Sequence, residues 1–365
     1  MKRYLSLDIL RGLTVAMMII VNNPGSWSRI YPMLRHASWD GCTPCDLVFP
    51  FFLFCVGVSM AFALAKYPGL TVDALKKVFK RGVLLYLAGL LLTAFPFYPV
   101  DQTPDLTFWQ NWTQWLGELR LVGVLPRIAM CYLLGSVLVL WLKTPQKLLA
   151  TTGILCALHV CLLLLFAGPE GAFTLEGNFA RRFDIALLGE NHVYHGYGIP
   201  FDPEGFIGAL TGTATVLVGY MIGLIVRKTA PVEASAKVFS LSAALLLAGV
   251  ILNIWVPINK PLWSASYVFY TAGWASFVFA LLIYLVDVKG FEKPFFPFKA
   301  LGMNALALFL LSSLLVKVNW AFIGWNYSAV FGQTEFTSLL FAVLYMSFHL
   351  LIAISLYRKK IFIKL

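Results

Sequence analysis

Long apolar runs separated by short polar breaks recur along the whole chain. They predict membrane-spanning helices over about residues 7–22, 47–65, 83–99, 121–142, 147–167, 206–226, 238–256, 265–286, 299–316 and 336–357. In lipid every backbone polar group needs an internal partner, so a run of this length has to be helical. Barrel strands would alternate apolar and polar residues with a period of two, and these runs do not. The expected fold class is therefore an all-α polytopic membrane protein of about ten helices, with residues 1–365 forming one transmembrane domain. One segment has a different pattern. In residues 71–82, Val72, Leu75, Val78 and Phe79 recur at helical spacing among lysines, which predicts a basic amphipathic helix lying on the membrane surface. The first apolar run leads into Asn22-Asn23-Pro24 without a small-residue cleavage site, so it is expected to be the first span and not a removable signal.

Composition agrees with the pattern: 60% of the 365 residues are hydrophobic and 12% charged, with a mean hydropathy of +0.80. The net charge of +11 could point to nucleic acid, but its distribution says otherwise. Lys2, Arg3, Lys66, Lys76, Lys77, Lys80, Arg81, Lys143, Lys147, Arg227, Lys228, Lys237, Lys289, Lys293, Lys299, Arg358, Lys359, Lys360 and Lys364 all fall on one alternating set of loops. That is the bias that keeps loops cytoplasmic, and it puts both termini inside, with no nucleic-acid partner. The opposite loops carry Trp27, Trp39, Trp109, Trp112, Trp115, Trp263 and Trp325. Part of this set is an interfacial aromatic belt, and part is a candidate platform for sugar rings. Cys55, Cys131, Cys156 and Cys161 sit in apolar runs as packing residues. Cys42 and Cys45 form a C-x-x-C without a second pair, which leaves two free thiols or one disulfide on an oxidising face.

The densest chemistry is in the loop after the first span, from His36 to Phe52. Titratable groups at the rim of a membrane are costly and usually have a task. An imidazole there can accept a proton near neutral pH. Asp40 and Asp46 are close enough in sequence to orient it, and Asn22 ends the preceding span where an amide could polarise a carbonyl. Arg127 lies among apolar residues early in the fourth span. A buried guanidinium wants an anion, so it is expected either to pair with Asp8, Asp46 or Asp184 or to contact a phosphorylated cofactor. Asp202 and Glu204 precede the sixth span, where they would hold a substrate cation or cap the helix. His192 and His195 lack further ligands at metal-site spacing, so no metal is expected. His159 and His349 read as packing residues, and Asn253 and Asn304 as interhelical hydrogen bonds.

Several segments together resemble heparan-α-glucosaminide N-acetyltransferase and its bacterial relatives. They are Ser6-Leu-Asp-Ile-Leu-Arg11-Gly12, Val21-Asn-Asn-Pro-Gly25, His36-Ala-Ser-Trp39-Asp-Gly41 and Asp46-Leu-Val-Phe-Pro50. Farther along come Leu187-Leu-Gly-Glu-Asn-His192, Phe201-Asp-Pro-Glu-Gly205, Pro257-Ile-Asn-Lys-Pro-Leu-Trp263, Gly302-Met-Asn304-Ala-Leu306 and the closing Tyr357-Arg-Lys-Lys-Ile-Phe362. The resemblance implies transfer of acetyl from cytosolic acetyl-CoA to the amine of a terminal glucosamine-type sugar across the membrane. It implies His36 as the active-site histidine, with Asn22 and Asp46 at the family's Asn and Asp positions, and a homodimer. Arg120-Leu-Val-Gly-Val-Leu-Pro-Arg127 departs from the family's segment by a Pro in place of Gln, so no role for that Gln carries over. Residues 1–365 hold no counterpart of the animal enzyme's large luminal extension, and on that resemblance a bacterial inner membrane is expected, with the site mouth facing the periplasm.

The chemistry is independently reasonable. An ammonium is not a nucleophile, and an imidazole suits its deprotonation. Acetyl would pass directly from thioester to amine or rest on His36 as an acetyl-imidazole. Arg11, Arg127, Lys76, Lys80 and Arg81 are the candidate cations for the CoA phosphates, and Trp39, Trp263, Asp202 and Glu204 the candidate sugar contacts. Two other readings remain: an O-acetyltransferase of cell-envelope glycans, and a small-solute transporter. Neither the repeated halves nor the broken helices common in transporters are visible in the sequence.

Overall fold

A computed structural model of the chain describes residues 4–100 and 104–363. Lys2, Arg3 and Lys364, which entered the loop-charge pattern, lie outside the described residues. The helices are α1 (Leu5–Asn22), α2 (Val48–Ala63), α3 (Val72–Ala94), α4 (Phe108–Gly117), α5 (Val124–Leu142), α6 (Pro145–Leu165) and α7 (Phe179–Leu188). They continue with α8 (Ile207–Lys228), α9 (Pro231–Leu252), α10 (Ala265–Leu282), α11 (Phe296–Met303), α12 (Ala305–Val318), α13 (Tyr327–Phe331) and α14 (Glu335–Arg358). Among the described residues nine helices are long and apolar enough to cross a membrane. Of the other expected span, 83–99, residues 83–94 are the apolar end of α3, which stops at Ala94.

Local chemistry explains several boundaries. α1 stops where the Asn23 amide turns back to donate to the Ile19 carbonyl (2.6 Å) and Pro24 cannot extend the ladder. Thr71 caps α3 by accepting from the Ala74 N–H, and Asn178 caps α7 by accepting from Arg181. The basic segment 71–82 was expected to be a separate surface helix. It is instead the first half of α3, because no breaker stands between Gly82 and the apolar run and the helix simply continues. Its buried side is Ala74, Val78, Gly82, Leu85 and Gly89, whereas Val72, Leu75 and Phe79 point outward.

The helix ends fall on two faces. On one, Tyr4 donates to the Thr229 carbonyl, Arg227 donates to that of Ala61, and the Leu5 N–H reaches Asp287. The tail past α14 is tied to the same face, because Asn304 bonds Ile361 and Ile363. This is the basic face. On the other, the Gly41 N–H donates to Ile258, Trp39 to Phe173, and Gly25 to Ser338. This is the loop face, and it also carries α4, α7 and α13.

α1, α2, α5, α8 and α10 form the interior, while α6, α9, α12 and α14 are peripheral and mostly apolar on their exposed sides. Helices associate in lipid through close packing at small residues, and two contacts here admit only glycine. A Cβ on Gly12 would lie 1.8 Å from the Phe298 carbonyl oxygen, and one on Gly302 would lie 1.8 Å from that of Asp8, which locks α1 to α11. Gly57 and Gly219 do the same between α2 and α8.

Unbroken helices were expected, but the 299–316 run is interrupted at Asn304, between α11 and α12. The Asn304 side chain binds the C-terminal tail: its amide donates to Ile361 O (3.0 Å) and its oxygen accepts from Ile363 N (2.8 Å). The break thus lies on the basic face, not at the middle of the bundle. Asn253, expected to bridge helices, caps α9 and accepts from the Ile258 N–H (2.7 Å).

Candidate active site

The loop between α1 and α2 folds around one carboxylate. Thr43 opens a helical turn over Pro44–Leu47, and Asp46 occupies its third position. One oxygen of Asp46, Oδ2, accepts from the backbone N–H of Thr43 (3.0 Å) and of Ala37 (3.0 Å), with Thr43 Oγ1 at 3.1 Å. The other, Oδ1, faces His36 Nδ1 at 2.6 Å. The side chain is 1% exposed, and the Tyr267 hydroxyl donates to the Asp46 backbone carbonyl from α10.

This arrangement fixes the imidazole. An ionised carboxylate can only accept, so the short contact assigns the proton to Nδ1. The lone pair is then on Nε2, and the ring is half exposed. Of the two aspartates expected to orient the ring, Asp46 does so; Asp40 accepts instead from the Asn259 amide (3.0 Å). Asn22 is exposed at the end of α1, and among the described residues no hydrogen bond joins it to His36.

A third group comes from the loop between α9 and α10. Lys260 Nζ is 3.3 Å from Asp46 Oδ1, 2.9 Å from His36 Nδ1 and 3.2 Å from Nε2. Being nearly equidistant from the two ring nitrogens, it rests against the imidazole and not on the lone pair of either. Cys45 Sγ is likewise close to both nitrogens, at 3.2 and 3.7 Å. Asn259 anchors Lys260's loop. It is fully buried, donates to Trp39 O and Asp40, and accepts from the Leu262 N–H. Cys42 and Cys45 are free thiols, and burial, then the Asp46 charge, pushes the Cys42 thiol up to about 12. Among the described residues no set of three or more His, Cys, Asp or Glu converges in a metal-binding arrangement.

A second cluster borders this one. Arg120 binds Asp202 through Nε (2.7 Å) and Nη2 (2.6 Å), and reaches Glu204 at 2.5 Å. Burial alone would lower the Arg120 pKa, but the two carboxylates outweigh it and raise it. Asp202 and Glu204 were expected to hold a substrate cation or to cap the following helix. An internal guanidinium holds them instead, and α8 begins only at Ile207. Tyr197 connects the clusters: its ring meets Trp39 and Phe201 edge-on, and its hydroxyl is pushed up by burial and by the charges of Glu204 and Asp46.

The remaining expected residues are dispersed. Trp39 packs edge-on against Tyr197 and Phe201 and donates to Phe173 O. Trp263 was expected to stack on sugar but is 1% exposed, held edge-on between Phe49 and Tyr267 because its apolar ring fills the bundle interior. Arg127 was expected to pair with Asp8, Asp46 or Asp184 or to contact a phosphorylated cofactor, and it is 1% exposed. Its guanidinium donates instead to the carbonyls of Pro203 and Gly205, just before α8, and of Gly208 in its first turn, and lies over Trp263. Arg11 contacts Asp8 (3.4 Å) and Ser59. Lys76, Lys80 and Arg81 are exposed on α3, with Arg81 over the Tyr132 ring. Because α3 packs on α5 whereas α1 packs on α2 and α11, Arg11 and the α3 cations belong to different parts of the basic face.

Sequence reasoning missed Lys260 and Arg120. Both are cations on the loop face, which also carries Arg29, Arg35, Arg181 and Arg182, so the loop-charge bias alone did not single them out. Asn259 and Tyr197 carried no signal.

The family described as the catalytic region of heparan-alpha-glucosaminide N-acetyltransferase matches residues 3–174, a stretch that includes His36, Asp46 and Arg120 but not Lys260. The chain is 26% identical to the mouse heparan-alpha-glucosaminide N-acetyltransferase over 412 aligned positions, which cover 98% of this chain and 60% of the mouse protein. It is equally similar to the human protein over 417 positions, covering 100% of this chain and 60% of that one. The chain thus spans about 60% of the length of the curated relatives it matches, and it is distantly related to this family over most of its length.

Proposed function

We propose that residues 1–365 form one transmembrane acetyltransferase domain that takes acetyl from acetyl-CoA and delivers it to the amine of a terminal glucosamine-type sugar. His36 Nε2 is the general base, and Asp46 holds the ring and its tautomer. The observation that carries this reading is the 2.6 Å contact between His36 Nδ1 and Asp46, which in the neutral ring puts the lone pair on Nε2, with the side chain half exposed at the mouth of a membrane bundle. The relatives' printed activity supports acetyl as the group moved and a sugar amine as its acceptor. In this reading the basic face is cytoplasmic, both termini are inside, and α3 brings the crossings to ten. The loop face then opens to the periplasm of a bacterial inner membrane, and resemblance is the support for a homodimer.

Acetyl-CoA must bring its thioester from the basic face to His36. An apolar cleft of about 220 Å³ between α1, α2 and α10 supports one route. Its lining runs from Leu10, beside Arg11, to Pro44 and Leu47, which flank Asp46. Arg11 is the cation at the inner end of that route, so it is a better candidate for a CoA phosphate than Lys76, Lys80 or Arg81. The acceptor amine gives a proton to Nε2 and attacks the carbonyl carbon. The C–S bond then breaks, and the proton passes to the departing CoA sulfur.

The test is purified protein in detergent with acetyl-CoA and parallel acceptors, one bearing a free glucosamine amine and one with hydroxyls only. Thiol release and product mass are read together. The amine should be acetylated, and His36→Ala should lower the rate at least about 100-fold while the protein remains folded. Full transfer by the variant would overturn the role of His36, and acetylation of hydroxyls alone would replace the amine reading with the O-acetyltransferase one.

A further inference from the structure

The groups proposed to receive the acceptor's ammonium are already in contact with one. Lys260 Nζ is a primary alkylammonium 3.2 Å from His36 Nε2 and 3.3 Å from Asp46. A general base must lie within about 2.6–3.2 Å of the atom whose proton it takes. Lys260 Nζ meets the distance without any substrate present, and a swing of its stem from the ring face to the ring edge would bring an N–H onto the Nε2 lone pair. Its side chain is 17% exposed, so it occupies the space beside the ring and is not free in solvent. The backbone beneath it is held by Asn259 through Trp39, Asp40 and Leu262. The flexible stem is therefore the part that can move aside.

We propose that Lys260 stands in the acceptor's place in the resting protein and is itself an acetylation site. The inference rests on the acetyl-transfer reading above and deepens it. A position that accommodates an alkylammonium against a carboxylate and an imidazole is built for an amine acceptor and not for a neutral hydroxyl. When acetyl-CoA arrives before the sugar, Lys260 gives one ammonium proton to His36 Nε2. The freed amine attacks the thioester carbon, the N–C bond forms and the C–S bond breaks. The proton first taken by His36 is released to solvent from its exposed edge; Nζ then sheds a second proton, which reaches the departing CoA thiolate through His36 Nε2 to give the thiol, and Nζ keeps the acetyl as a neutral amide. The ammonium charge beside Asp46 is then lost, and the acceptor's place is filled by an acetamide. An amine substrate competes with this step by displacing Nζ.

The experiment uses the whole protein in detergent micelles. It is incubated with acetyl-CoA alone, and with acetyl-CoA plus excess glucosamine, then digested and mapped by mass spectrometry. Without the sugar, Lys260 should carry acetyl in preference to exposed lysines such as Lys76 and Lys80, and glucosamine should reduce its occupancy at least tenfold. His36→Ala should abolish the modification. Lys260→Arg, which keeps the charge but cannot be acetylated, should remove the signal at this position. Acetylation of glucosamine with Lys260 unmodified would overturn the proposal and leave the acetyltransferase reading intact. Acetylation of neither would overturn both. Lys260 modified no more than Lys76, or equally in His36→Ala, would mark chemical acetylation by the thioester and overturn the proposal as well.

Discussion

Replacing Asp46 by Asn tests the site more sharply than deleting the histidine. The two oxygens of Asp46 are not equivalent. Oδ2 accepts from two backbone N–H groups with Thr43 Oγ1 nearby, whereas Oδ1 faces His36 and Lys260. An asparagine has one acceptor and one NH2 donor. Two fixed backbone donors require the amide oxygen to take the Oδ2 position, which puts the NH2 opposite His36 Nδ1. Nδ1 must then accept, so the ring proton moves to Nε2 and the base lone pair is lost. The size and packing of the side chain are almost unchanged. General-base catalysis contributes about 100- to 10,000-fold, or about 3–5 kcal/mol of barrier. Asp46→Asn should therefore lower kcat by that range with little change in KM for acetyl-CoA. The assay is thiol release in the presence of glucosamine, with size exclusion showing an unaltered particle. An Asp46→Asn protein within tenfold of the parent would refute the tautomer argument.

Arg120→Met should destabilise the protein by roughly 3 kcal/mol, because it strands the buried Asp202 carboxylate and Glu204 without their cation; a fall in Tm in detergent checks it, and an unchanged Tm would contradict it. Gly12→Leu should force α1 from α11 at the 1.8 Å approach to Phe298 O, costing at least about 1–3 kcal/mol; lost folded yield with Gly153→Leu as the tolerated control, since nothing lies within 4 Å there, is the readout. Asp184 is held at about 7 by burial, above its ordinary 3.8. With the folded value raised, an acid loses folding stability as pH climbs from about 4 to 7, because the unfolded chain ionises first. Asp184→Asn should therefore flatten that part of the Tm–pH curve, and an unchanged slope would count against the buried acid.

How much of this was legible beforehand divides along a physical line. Hydrophobicity and helix punctuation are local properties, so the apolar runs, the stop at Asn22-Asn23-Pro24 and the one-sided loop charges could be read directly from the residues. His36 and Asp46 stand ten positions apart in one loop, and a short loop rich in turn formers brings such residues together without help from the rest of the bundle. Which partner a side chain finds across the bundle is a different matter. Lys260 is 224 positions from His36, and Arg120 is 82 and 84 positions from its two carboxylates. Trp263 and Arg127 reverse their expected exposure and pairing because α8 and α10 enclose them. These outcomes depend on which helix ends share a face and how closely glycines let the helices approach. Only the assembled bundle sets those distances, since the energy of a charge pair depends on separation in space and not along the chain.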